Sequence, residues 1–148
     1  MASTTTHSGT PARALDLSDP GAQAFTLLRV GFTAAPILFG LDKFFDVMVD
    51  WPTYLWSGFD AIIPGSANDA MLLVGVIEIV AGILVAVRPK IGGYVVAVWL
   101  GGIIVNLLAA GGFLDIALRD FGLLLGALTL ARLATVYGPS ARPARAGQ

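Results

Sequence analysis

A chain of 148 residues with 56% hydrophobic and only 13% charged side chains is not built like a soluble domain. A fold of that size has too much surface to hide so much apolar side chain, and it normally carries about 25% charge. A net charge of −1 argues against a nucleic-acid partner, and the absence of cysteine with a single histidine, His7, excludes thiolate, iron–sulfur, Cys-zinc and bis-His haem chemistry within the chain.

Residues 1–21 lack the basic region followed by an apolar run expected of a signal peptide, and read as a disordered tail carrying His7. Asp19-Pro20 is a helix start, with Asp19 at the N-cap and Pro20 in the first turn. Four hydrophobic spans follow over about 22–45, 70–87, 91–113 and 116–136, each close to the ~20 residues that cross the hydrocarbon of a bilayer. Pro36 falls inside the first span and predicts a kink. Between the first two spans, Leu55, Phe59, Ile62 and Ile63 recur at helical spacing beside Trp51, Tyr54 and Trp56. This pattern predicts a short amphipathic helix at the interface, serving either as an anchor or as a lid. Residues 137–148 form a second tail. The fold class is therefore all-α: a polytopic four-helix membrane bundle.

Basic residues set the expected orientation. Arg13, Arg88, Lys90, Arg132, Arg142 and Arg145 lie in the two tails, the last turn of the fourth span and the turn between spans two and three, whereas connections 46–69 and 111–115 have none. Both termini are expected in the cytoplasm.

Six ionisable side chains interrupt the spans: Arg29, Asp42, Lys43, Glu78, Arg119 and Asp120. Charge within a bilayer is costly and turns toward a bundle interior or cavity. At ~1.5 Å per helical residue, Glu78 lies about 13 Å below the outer end of its span, Asn106 about 10 Å, Arg119 and Asp120 about 6 to 8 Å, and Asp42 and Lys43 about 5 Å. All four spans thus bring polar groups to the outer half. Gly75 and Gly82 flank Glu78, Gly102 precedes Asn106, and Asp115, Arg119, Gly122 and Gly126 form a stripe, spacings that predict close helix–helix contact. Lys43 and Arg119 against Asp42, Glu78 and Asp120 leave one carboxyl in excess, which Glu78 can absorb by protonation. The same cluster is also what a network that only locks helix register would present. Arg29, nearer the cytoplasmic end, reads as a snorkelling structural residue.

Arg29 in span one, GLDKFF at its end, VGVIEIVAGILV in span two, a Pro-containing turn and LDIALRDFGLLLGAL opening span four resemble the DoxX-like family of small four-helix bacterial membrane proteins, over about residues 25–135. The resemblance implies a four-helix membrane bundle associated with quinone-linked or oxidative-stress-related redox systems. It assigns no catalytic residue and no metal.

These readings lead to an accessory membrane subunit without catalysis of its own, binding a quinone or lipid among Asp42, Lys43, Glu78, Asn106, Arg119 and Asp120. Its partners would be the bilayer, a membrane or redox protein, or further copies of the chain. A small proton-coupled transporter and a purely structural assembly partner are the alternatives.

Overall fold

The computed structural model describes residues 16–45, 47–48, 50–54 and 66–139. The expected tail carrying His7, the C-terminal tail and most of the amphipathic segment, residues 55–65, lie outside them. Among the described residues the chain is helical and has no strand. The long helices are α1 (Pro20–Phe45), α2 (Ala67–Val87), α3 (Pro89–Ala110) and α4 (Leu114–Tyr137), with a 3-10 turn at Trp51–Tyr54 between the first two. α1, α2 and α3 are long and apolar enough to cross a membrane. α4 is the least apolar of the four, because Asp115, Arg119, Asp120 and Arg132 interrupt it.

Local chemistry sets the helix ends. Asp19 Oδ1 accepts from the Gly21 amide at 3.2 Å, so one orphan donor of α1 is satisfied. α1 then runs through Pro36 without interruption. α2 starts three residues earlier than the hydropathy pattern indicates, because Ser66 and Asp69 form a reciprocal capping box. The expected third span extends to 113, but α3 ends at Ala110, where Gly111 and Gly112 take φ values of 75° and 86°. L-residues with side chains avoid that region, so the pair ends the helix and turns the chain.

The helices pack as a ring. α1 lies extensively against α2 and α3 against α4, with smaller α2–α3 and α1–α4 contacts. Where α1 meets α2, a Cβ on Gly40 would stand 2.6 Å from the Gly75 carbonyl oxygen, and one on Gly75 would stand 2.7 Å from that of Gly40. The two glycines therefore let the backbones touch. Arg29 lies across the same pair of helices lower down, donating to the Ala86 carbonyl near the end of α2. It supplies a partner to one of the last carbonyls of α2, which agrees with a structural role.

The dense core occupies the lower half of the ring, toward the α2–α3 turn, and consists of Phe25, Ala81, Val85, Val96, Ala97, Ala127, Leu130 and Ala134. Alanines dominate there, so α3 and α4 close tightly. Tyr137 stacks on Phe25 and donates to Asp19 at 2.7 Å, tying the ends of α1 and α4. The ring's outward surface is apolar, with Val30, Leu38, Val80, Val98, Val105 and Leu118 all exposed. An apolar exterior on this scale needs a covering solvent other than water.

Candidate functional site

The upper half, toward the 3-10 turn and the α3–α4 turn, is packed differently. A cavity of about 670 Å³ opens there and reaches down to the core residues Ala81 and Val96, with Phe39 of α1, Trp99 and Ile103 of α3 and Leu123 of α4 among its other walls. Glu78, Arg119 and Asp120 are its charged lining residues.

Lys43 is in the last turn of α1, where a cation is favoured by the helix dipole. Its Nζ lies 2.7 Å from Glu78 Oε2, and the two side chains are only 3% and 11% exposed. Burial makes this pair unlike a surface ion pair: with water excluded, loss of either partner leaves the other uncompensated. The other face of the Lys43 ammonium is covered by Trp51, whose ring centroid is 3.6 Å from Nζ. The cation is thus held between a carboxylate and an aromatic face.

Asp42, buried beside it, is directed elsewhere. One oxygen accepts from the Trp51 indole at 2.8 Å, and the other from the amides of Val47 and Met48 at 3.2 and 3.0 Å. Its negative charge therefore organises the chain leaving α1 and holds Trp51 over Lys43. Asn106 acts on the same turn from α3, donating to the Tyr54 carbonyl at 2.9 Å. Tyr54 also packs on Phe113 with ring centroids 5.2 Å apart, and Trp51 meets Phe39 edge-on at 6.1 Å. The 3-10 turn is fastened across the top of the ring by these contacts.

The six sequence-predicted residues thus divide. Lys43 and Glu78 form the buried pair, Asp42 and Asn106 hold the turn above it, and Asp120 lies on the buried face of α4 at the cavity wall. Arg119 does not join the pair. Its side chain is 70% exposed and approaches Asp120 only to 3.9 Å, which places it at the cavity rim. The stripe of Asp115, Arg119 and Gly122 faces outward and not into a helix contact, and Gly102 likewise has open space beside it. Helical periodicity instead puts Asp120 on the face of Ala117, Ala127 and Ala131, which is the buried one. Gly75, Gly82 and Gly126 do meet neighbouring helices.

Trp99 is the cavity residue that sequence reasoning passes over. Its indole nitrogen is buried near the Glu78 carboxylate and closes no hydrogen bond of ordinary geometry. A signal was available: Trp99 precedes Asn106 by seven residues, a spacing that puts both on one helical face. Among the described residues no cluster of His, Asp and Glu suits a metal ion.

No family model, curated protein or solved structure matches this chain. The DoxX-like resemblance therefore rests on the sequence motifs alone.

Proposed function

We propose that this chain is a multi-pass membrane protein whose four helices form a transmembrane bundle, and that its upper cavity binds an amphipathic ligand of the quinone class. On this reading it is an accessory, non-catalytic subunit of a quinone-linked or oxidative-stress-related redox system. The cavity carries the proposal. Its volume of about 670 Å³ falls within the range of small-molecule sites, and its wall combines apolar side chains with a few polar groups.

The 24 residues of α4 are long enough to serve as the fourth span, and its charges lie near its two ends. The distribution of basic residues favours a cytoplasmic lower half, which puts the cavity in the outer leaflet on this reading. The DoxX-like resemblance supports the association with quinone chemistry.

The test is quinone content after purification from native membranes, measured by mass spectrometry of an organic extract. The wild type should carry lipid-soluble quinone near one per chain, and a Glu78→Gln/Asp120→Asn variant should lose most of it. Equal quinone in both, or none in either, would overturn the site.

A further inference from the structure

The cavity has a side as well as a top. Its top is covered by the fastened Trp51–Tyr54 turn. Its lower end is shut by the alanine-rich core and by the Phe25–Tyr137 and Asp19–Tyr137 contacts, which join α1 to α4 near their lower ends. Its back is α2 and α3, whose lining residues are buried (Glu78, Ala81, Val96 and Leu107) or half-buried (Trp99, Leu100 and Ile103), and none is exposed. The remaining direction is between α1 and α4. There the lining residues are themselves exposed: Leu27, Gly31, Ala35 and Phe39 along one stripe of α1, and Arg119 and Leu123 one turn apart on α4. The α1–α4 contact, like the α2–α3 contact, is slight beside the α1–α2 and α3–α4 contacts, and it is the exposed lining residues that single out the α1–α4 side. Gly126 against Phe32 and Leu28 marks the level to which the two helices still touch. Above that level the lining residues Ala35 and Phe39 of α1 and Arg119 and Leu123 of α4 are exposed.

This inference rests on the ligand-binding reading above and deepens it. We infer that the cavity is loaded sideways from the bilayer through the α1–α4 gap, by a single-tailed amphipath with a neutral head that both accepts and donates hydrogen bonds. The route follows from the geometry. An opening bounded by Ala35, Phe39 and Leu123 faces hydrocarbon in a membrane-spanning bundle, and the aqueous approach from above is covered. An apolar tail can remain in that opening while the head sits inside.

The head's chemistry follows from what lines the interior. The Trp99 N–H, buried beside the Glu78 carboxylate at the cavity wall, closes no hydrogen bond of ordinary geometry, and so favours a carbonyl or hydroxyl acceptor entering next to Glu78. Asp120, buried on the α4 wall and held only loosely by Arg119, offers acceptor oxygens and favours a hydroxyl donor. The charges at the site already balance, Lys43 against Glu78 and Arg119 against Asp120, so an anionic head such as a fatty acid carboxylate would bring an uncompensated charge into the apolar interior. A hydroxylated ring on an alkyl or isoprenoid tail meets all three conditions.

The full-length protein in lipid nanodiscs, titrated with a decyl-tailed benzoquinol, tests this directly. Binding should saturate, and the tail-less benzoquinol and palmitate should bind at least about tenfold more weakly. Trp99→Phe keeps the ring and removes the N–H, and should weaken the decyl probe by about tenfold. Ala35→Trp and Leu123→Trp, one on each side of the gap, should each slow association by about tenfold or more, whereas Val98→Trp on the outer face of α3 should not. A wild-type experiment guards against misfolded variants: a diazirine at the tail end should label α1 within 27–39 and α4 within 116–123.

Absence of saturable binding would overturn the ligand-binding reading itself. Binding with tail labels confined to other helices, or with association unchanged in both gap variants, would overturn the sideways route alone. Binding unchanged in Trp99→Phe, or palmitate binding as tightly as the quinol, would overturn the assigned head chemistry alone.

Discussion

Lys43 and Glu78 are the residues whose removal should be most damaging, because each is buried against the charge of the other. Breaking a buried pair from one side costs about 3 to 5 kcal/mol in soluble proteins, and less in membranes, where the unfolded helix also finds partners. Glu78→Ala should therefore lower the melting temperature in detergent well below that of the wild type, while Lys43→Met/Glu78→Leu should recover most of the loss. Melting of the single variant at the wild-type temperature would show that water reaches the pair. Arg119 offers the contrast. With its side chain 70% exposed and 3.9 Å from Asp120, Arg119→Leu should shift stability by only about 0 to 1 kcal/mol. Asp42 is expected to lie between these cases. Asp42→Asn keeps the shape of the side chain but weakens the charge-assisted bonds to Trp51, Val47 and Met48. Proteolysis in the 46–66 connection should speed up before the helices melt, which limited digestion of the folded protein would detect.

Glycine at the element scale has opposite meanings at different positions. At the α1–α2 crossing, Gly75→Ala places a methyl 2.7 Å from the Gly40 carbonyl. Overpacking of that kind costs about 1 to 3 kcal/mol, and it cannot be relieved by rotating a side chain because the neighbour is backbone. A methyl on Gly102 in α3 would meet nothing within 4 Å, so Gly102→Ala should gain about 0.5 to 1 kcal/mol of helix propensity instead. Thermal melting of the two alanine variants should move in opposite directions. Both glycines sit at similar spacing from a polar residue, which is why the spacing alone predicts contact for both. Contact depends on which face the partner helix occupies, and α3 turns Gly93, not Gly102, toward Ala127 and Ala131 of α4.

For the whole molecule, the distribution of Arg and Lys predicts both termini in the cytoplasm. A chain without cysteine makes the test direct. Ser66→Cys should react with a membrane-impermeant maleimide added to sealed cells, and Ser140→Cys should react only after permeabilisation. Labelling of Ser140→Cys in sealed cells would invert the orientation and place the cavity in the cytoplasmic leaflet. The division into a packed lower half and a hollow upper half carries a second consequence. Small residues fill the space below, so Ala127→Leu should be strongly destabilising there, whereas Ile103→Phe at the cavity wall has room and should be tolerated.

The number of long helices, their approximate limits and their apolar exterior were determined by the sequence itself, since hydropathy, Ser66 and Asp69, and Gly111-Gly112 act through nearest neighbours and solvent. So was the gathering of polar groups toward one end, because depth along a helix is a matter of counting residues at constant rise. Only the tertiary structure decided which charges meet. Asp42 and Lys43 are adjacent in sequence, yet one holds the Trp51 turn and the other enters the Glu78 pair. Arg119 and Asp120 are adjacent too, and one points out while the other faces the cavity. Successive residues on a helix are turned about 100° from one another, so a neighbour's role depends on where the other helices stand. The cavity was likewise invisible in the sequence, because an unfilled volume belongs to the spacing between helices and to no single one of them.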